Sequence, residues 1–271
     1  MIKLENVNYK YKNGENILEN INFEIKEGEI ISIIGKNGSG KSTLLNLIAG
    51  ITKPTSGKIL IDDIDTKSKK DFLNLRKKIG IVFQNPDNQI LFPRVFDDIE
   101  FALKNLDLDN REERIENALE IVNMKNFVEN DTYELSLGQK QRINIASCLA
   151  VKPKYILLDE PTTMIDSMEK ENIYDAIKKL KNQGYTIIFV TNNINEIIIS
   201  DKILILKNKK IEHEFLKNEI LEKVEYLTEC QIKIPDIIQI LLKLKENGID
   251  IKLEQWTMQE MIEKIIEKCV L

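Results

Sequence analysis

The sequence predicts an α/β fold with a mostly parallel sheet, and three observations carry that prediction. Apolar runs of strand length alternate with helical stripes along most of the chain. A glycine-rich turn, Gly35-Lys36-Asn37-Gly38-Ser39-Gly40-Lys41-Ser42-Thr43, separates the β-branched run 29–34 from a helical stripe at Leu44, Leu45, Leu47 and Ile48. From about residue 97 to 150 the apolar period becomes helical, so a helical subdomain is expected to be inserted into the sheet. With 271 residues, 42% of them apolar, the chain can bury a full core and carry a small appendage beyond one large domain.

In chain order, residues 2–7, 21–25 and 29–34 read as strands, with turn chemistry at Asn13-Gly14 and Glu27-Gly28. A turn at residues 54–57 precedes a strand at 58–61. Residues 79–83 form a buried strand that delivers Gln84, followed by a polar loop over 85–90. Two helical stripes follow, one at Ile115, Ala118, Leu119 and Val122, the other at Ile143, Ala146, Ser147 and Ala150. Strand character returns at 155–159, then a helix over 168–182 turns Ile173, Ala176, Ile177 and Leu180 inward and stops before Gly184. Residues 185–190 and 202–206 have strand length. His213, the only histidine, is expected beyond the last strands as a solvated residue. The tail, residues 216–271, reads as a helical extension of one large domain at 1–215, with the helical subdomain at about 88–150. One tail helix follows Pro235-Asp236. Another follows the capping box Thr257-Met-Gln-Glu260, with Met258, Met261, Ile262 and Ile265 on one side.

The glycine-rich turn fits G-x-x-x-x-G-K-[ST] in the right context. Its glycines let successive N–H groups point at one centre, the helix beginning near Lys41 adds its positive end, and the Lys41 ammonium reaches β- and γ-phosphates while Ser42 faces Mg²⁺. This chemistry implies binding of a nucleoside triphosphate. Asp159 and Glu160, at a strand end after four apolar residues, supply the other half: Asp159 for Mg²⁺ and Glu160 to orient the attacking water. Ser136 sits near a helix N-terminus, as anion-binding chemistry would need, but its distance in sequence from the cradle leaves its place open. Tyr11 could stack on a base, although position alone favours a packed strand aromatic. A formal net charge of −5 argues against non-specific nucleic-acid binding. Cys148, Cys230 and Cys269 lack metal-ligand spacing and read as reduced thiols. No apolar run approaches the ~20 residues of a membrane span, and Met1-Ile-Lys-Leu-Glu is strand-like rather than a signal peptide.

Residues 35–43, Gln84, Leu135-Ser-Leu-Gly-Gln-Lys-Gln-Arg142, Asp159-Glu-Pro161 and Met164-Ile-Asp166, in this order, resemble the ATP-binding subunits of ABC transporters over roughly residues 1–215. The resemblance implies that ATP and Mg²⁺ are bound, with Tyr11 stacking on adenine and residues 37–43 (Asn37, Gly38, Ser39, Gly40, Lys41, Ser42 and Thr43) holding the phosphates. It assigns Ser42, Gln84 and Asp159 to the metal, and Glu160, Gln84 and the switch position Asn192 to catalysis. It sends Ser136, Leu137, Gly138 and Gln139 to the partner's ATP as the signature motif, and puts Asp166 at the dimer interface. More finely, Phe83-Gln-Asn-Pro-Asp-Asn-Gln-Ile90, Glu160-Pro-Thr-Thr-Met-Ile-Asp166 and the tail with Pro235 are similar to the ATPases of energy-coupling factor (ECF) importers, which take up vitamins or transition metals. That branch implies a peripheral subunit on the cytoplasmic side of the cell membrane. Its partners would be a second ABC ATPase, a transmembrane coupling protein near residues 85–90 and a substrate-binding membrane protein, with no nucleic acid.

Two positions depart from the pattern. Leu137 stands where the family has Gly, so a branched side chain would block close approach to a phosphate or force a different backbone angle. Asn192 stands where the family has a switch His, and Asn193 where an acidic residue is usual. Asn can donate a hydrogen bond but cannot carry a proton or a positive charge. Two other readings stay open: a soluble ABC ATPase outside transport, and a catalytically weakened regulatory subunit of a heterodimer.

Overall fold

The computed structural model describes every residue except Asn193, Gln255, Val270 and Leu271. Strand β1 (Ile2–Lys10) and strand β2 (Asn16–Ile25) form a hairpin around Asn13-Gly14, with Tyr9 opposite Leu18. Their alternating apolar residues signal a half-covered antiparallel pair, and they do not enter the central sheet. Strand β3 (Ile30–Ile34) runs through the glycine-rich turn into α1 (Lys41–Ile48). Strands β4 (Ser56–Ile61) and β5 (Ile64–Asp65) join the hairpin in a four-stranded antiparallel sheet, order β2-β1-β4-β5. The expected mostly parallel character therefore belongs to the second sheet alone.

A short helix α2 (Phe72–Lys78) precedes β6 (Ile79–Val82). The inserted helical region comprises α3 (Val95–Asn105), α4 (Arg111–Ile121) and α5 (Leu137–Ala150). The chain then returns through β7 (Tyr155–Asp159), α6 (Ser167–Asn182), β8 (Thr186–Val190), α7 (Ile194–Ile199), β9 (Lys202–Lys207) and β10 (Lys210–Leu216). The six-stranded sheet has the order β10-β9-β3-β8-β7-β6, parallel at every pairing except the antiparallel β10 edge. Strands β3, β7 and β8 are buried at every residue, which fits their unbroken apolar runs and coverage on both faces. His213 lies within β10, not beyond the last strand, and is exposed with its ring edge-on to Tyr226 at 4.4 Å between centroids.

Helix α6 buries the stripe expected of it, Ile173, Ala176, Ile177 and Leu180, each apolar side chain contributing roughly 1.5–3 kcal/mol for the larger ones. Helix α5 buries far more than one stripe, because it is wedged between α3, α4 and the sheet. Its inward polar groups find carbonyls: Gln141 Nε2 donates to Phe83 at 3.1 Å, Asn144 Nδ2 to Pro86 at 3.1 Å and Arg142 to Val122 at 3.1 Å. The tail, with α8 (Val224–Glu229), α9 (Asp236–Glu246) and α10 (Met258–Cys269), packs on the edge of the sheet. A single cluster joins Ile34, Ile203, Ile205 and Phe215 to Leu227, Ile238, Leu241 and Met261. The expected apolar side of α10 is split. Met261 is buried and Ile265 half-buried, whereas Met258 and Ile262, with Ile266, are about half exposed. The Thr257 hydroxyl caps α10 by accepting from Glu260 N at 3.1 Å, and the Glu260 carboxylate accepts from Glu254 N and Trp256 N.

Asp62, at the turn after β4, ties the two sheets together. Its carboxylate accepts from Lys78 at 2.6 Å, Tyr155 Oη at 2.6 Å, Lys154 at 3.1 Å and the Met1 amine at 2.7 Å. Burial opposes its ionisation, but these donors outweigh it and hold the carboxyl well below the usual range. A lowered folded value stabilises the protein above about pH 4, where an unfolded aspartate is ionised, and the benefit is lost as pH falls through the folded value. Asn suits the left-handed backbone at this position (φ +46°). Asp62→Asn is therefore expected to cost about 1.5–3 kcal/mol in urea unfolding at pH 7, with the gap to wild type closing at low pH. Equal stability at pH 7 would show that the network contributes nothing.

Candidate functional site

The carboxyl ends of four parallel strands meet along one edge of the central sheet. Ile33 pairs with Val190, Val190 with Asp159, and Leu158 with Val82. That register brings the glycine-rich turn after β3, Gln84 after β6, Asp159-Glu160 after β7 and Asn192 after β8 to a common rim, the place where open α/β sheets bind ligands.

Gly40 caps α1 with φ +101°, a conformation a side-chain-bearing residue rarely adopts, and a Cβ there would lie 3.0 Å from Ile17. Lys41 is buried at the first turn, with Nζ donating to the Gly35 carbonyl at 2.8 Å and the Lys36 carbonyl at 3.2 Å. Burial lowers its pKa, and the charges of Glu160 and Asp159 oppose that shift. Ser42 Oγ donates to Asp159 Oδ1 at 3.0 Å. Burial and the Glu160 charge both push the Asp159 carboxyl upward, with the Ser42 bond acting against them.

Tyr11 is exposed, its hydroxyl 3.0 Å from Thr43 Oγ1 and its ring edge-on to Tyr9 at 5.3 Å. It is thus not a packed core aromatic. A cavity of about 530 Å³ gathers Tyr11, Asn37, Gly38, Gly40, Lys41, Ser42, Thr43, Gln84 and Glu160, a size that suits a small ligand. Ser39 does not line it: its hydroxyl is buried beside Gly35, and its N–H donates to the Lys36 carbonyl at 3.1 Å. Glu15 and Ile17 also line the cavity and were not expected. The Asn13-Gly14 hairpin carries them there, so the turn signal could have found them.

Glu160 has φ +45°, a strained backbone worth roughly 1–3 kcal/mol, held by its N–H donating to the Val190 carbonyl at 2.8 Å. Its carboxylate accepts from Gln84 Nε2 at 3.0 Å and from Thr163 Oγ1 at 3.1 Å. The Asn192 amide donates to Asn37 Oδ1 at 2.7 Å. Turned over, its nitrogen would instead lie 2.5 Å from the Gly35 carbonyl, so the side chain engages the cradle either way. Asn193 lies outside the described residues. A second cavity, of about 620 Å³, shares Asn37 and Glu160 with the first and adds Asn192, Ser167 and Lys170.

The motif at 136–139 stands apart from the cradle's cavity. Ser136 caps α5, accepting from Gln139 N at 3.2 Å while Gln139 Oε1 accepts from Ser136 N at 2.9 Å. Leu137 occupies the first helical turn with ordinary negative φ and is 41% exposed. Its exposed side chain projects from the start of α5. Gly138 is required by packing, since a Cβ there would lie 2.5 Å from Glu169 Cγ. Asp166 caps α6, accepting from Met168 N and Glu169 N at 3.0 Å each.

Residues 18–163 match the ABC transporter family. The chain is 40% identical over 266 residues to the energy-coupling factor transporter ATP-binding protein EcfA1 of Oenococcus oeni, spanning 97% of this chain and 96% of that one. It is 37% identical to the EcfA1 protein of Caldanaerobacter subterraneus, covering 98% of each. Its fold is similar to that of CbiO1 from Clostridium perfringens, part of the ABC transporter complex CbiONQ, with a TM-score of 0.75 and 36% identity over 88% of this chain and 97% of the other. A dimeric ATP-binding cassette in a post-hydrolysis state with ADP and phosphate superposes with a TM-score of 0.73, at 38% identity over 80% of this chain and 99% of that one. The ordered motifs, the shared sheet edge and these full-length likenesses agree: the chain belongs to the ATP-binding proteins of energy-coupling factor transporters, within the ABC transporter family.

Proposed function

We propose that this ATPase subunit powers uptake of a vitamin or a transition-metal ion through membrane partner proteins, using residues of the sheet edge in the roles that follow. The observation that carries the proposal is the cavity where Lys41, Ser42, Gln84 and Glu160 converge beside Tyr11. Lys41 and the cradle backbone take the β- and γ-phosphates, and Tyr11 stacks on adenine. Ser42, Asp159 and Gln84 are hard oxygen donors that would hold Mg²⁺, and a buried Asp159 whose ionisation is disfavoured would gain from a cation beside it. When bound, Mg²⁺ supplies neutralisation of charge on the transferring phosphoryl group. Glu160, steadied by Gln84 and Thr163, orients the attacking water and accepts its proton. Ser136, Leu137, Gly138 and Gln139 face the ATP of a second ABC ATPase, with Asp166 at the same interface.

Among the described residues no helix is long and apolar enough to cross a membrane. We place the chain peripherally, on the cytoplasmic side of the cell membrane. A groove of about 460 Å³ lies beside the 85–90 segment, and the exposed Phe72, Leu73 and Phe101 line it together with Gln89. An amphipathic segment of a transmembrane coupling protein would cover these rings. The 85–90 turn is firmly built, with Asp87 N donating to Asn85 Oδ1 at 3.0 Å and Lys140 paired to Asp87 at 2.8 Å, while Asn88 is exposed. The half-exposed Met258, Ile262 and Ile266 of α10 suit pairing of the tail with the second ATPase.

Co-purification of tagged chain with its membrane partners tests the proposal. Asn88→Lys is expected to reduce capture of the coupling protein by at least ~10-fold, a single misplaced charge at a desolvated contact, with nucleotide affinity unchanged. Capture at wild-type strength would remove the docking site and weaken the transport reading with it.

A further inference from the structure

The loop after β7 meets a buried carboxyl group that the proposed chemistry does not use. Glu196, on α7, is fully buried. Its Oε1 accepts from Thr162 Oγ1 at 2.6 Å. Its backbone carbonyl accepts from Ser200 Oγ at 3.0 Å and from Ser32 Oγ at 3.4 Å, anchoring it to β3. Thr162 is two residues beyond Glu160 and is buried. One residue thus joins the segment that carries the strained Glu160 to β3, the strand that runs into the phosphate cradle.

Such a group is costly to keep. Burial pushes the Glu196 carboxyl up to about 7 and the Glu160 charge adds to this, against Thr162, Thr191 and Lys170. An apolar residue of similar volume would fill the space without that penalty. What the carboxyl offers and an apolar side chain cannot is acceptance from Thr162, on the loop that carries Glu160. A strained residue such as Glu160 also persists only where its surroundings over-determine it.

We propose that Glu196 is a positioning residue for hydrolysis, tying Thr162 to α7 and, through Ser32, to β3, and so fixing Glu160 relative to the phosphate cradle into which β3 runs. The inference rests on the reading of Glu160 as the group that orients water. The test uses the full chain co-purified with its ATPase partner, measuring kcat, KM for ATP, nucleotide affinity and thermal unfolding. Glu196→Gln keeps an acceptor oxygen and the same shape, and its kcat is expected within about 3-fold of wild type, since the bond to Thr162 survives. Glu196→Leu is expected to lower kcat by about 10- to 100-fold, the scale of a small misplacement at a reacting centre, while KM and nucleotide affinity stay within about 3-fold. Wild-type kcat in Glu196→Leu would overturn the inference, as would a Gln variant as slow as Leu, or kcat and nucleotide affinity falling together. Should the Leu variant not fold, Thr162→Val removes the same bond from its other end; unchanged kcat there would also overturn it. Glu160→Gln run alongside separates the two claims. If it leaves turnover unchanged, the reading of Glu160 fails; if it is slow while Glu196→Leu is not, only the positioning role fails.

Discussion

Replacing Lys41 by alanine is expected to abolish ATP binding at micromolar nucleotide, a loss of affinity of at least ~100-fold, or about 2.8 kcal/mol. Lys41 is the only side-chain cation lining the cradle's cavity among the described residues, and its ammonium is already buried against the Gly35 and Lys36 carbonyls. Its removal does two things. It deletes the main cationic contact to the phosphates, and it leaves Asp159 and Glu160 without the charge that offsets them. Two carboxylates would then face an anionic ligand with only Mg²⁺ to offset them, which costs more than a single lost hydrogen bond. Titration with a fluorescent nucleotide measures the effect, with thermal unfolding as a control for the fold. Affinity equal to wild type would mean that the cradle does not hold the phosphates.

The parts of this molecule that were legible in the sequence are those whose chemistry demands adjacent residues. A phosphate cradle needs its glycines, Lys41 and Ser42 within nine positions, and a buried parallel strand must be an unbroken apolar run, as at Tyr155–Asp159. Ser42 and Asp159 could be paired on paper because each has its own local signature, although 117 positions separate them. The contact of Asn192 with Asn37 could not, since two asparagines 155 positions apart carry no pattern of their own. Glu196 was hidden for the same reason: a glutamate in an apolar run looks like a turn of surface helix until Thr162 is folded against it.

Elements with few inward residues were equally hidden. Helix α2 buries only Leu75, and its last turn is Arg76, Lys77 and Lys78. Strand β10 buries Phe215 alone, being an edge strand whose other residues face solvent or sit half-covered. In α10 the helical period gave the apolar residues but not their neighbours. Met261 turns to the tail cluster, whereas Met258 and Ile262 turn outward, and only the packing of α9 and the sheet edge decides which is which.

Asn192→His is expected to raise ATP hydrolysis by the isolated chain at least ~10-fold, a floor set below the ~10²–10³ that one charge-stabilising group is worth in such a site. Asn192 stands where the strand edge delivers a side chain to the cradle, and its amide already reaches Asn37 or Gly35. An imidazole there would add a group able to carry positive charge toward the developing charge on the γ-phosphate. The same reasoning bears on assembly. In a homodimer each site would combine the Asn192 switch with the partner copy's Leu137, whose exposed side chain projects from the first turn of α5. In a heterodimer with a standard ABC ATPase the two defects fall in different sites, one lacking only the switch histidine and the other only the signature glycine. Each such loss costs ~10²–10³ in rate, so two in one site would leave turnover too slow to drive transport, while one in each would not. We therefore propose a working assembly that pairs this chain with a second, different ATPase. Steady-state phosphate release decides both points. Equal, slow turnover by wild type and Asn192→His would clear Asn192 of limiting the rate, and fast hydrolysis by the pure homodimer would end the case for a heterodimer.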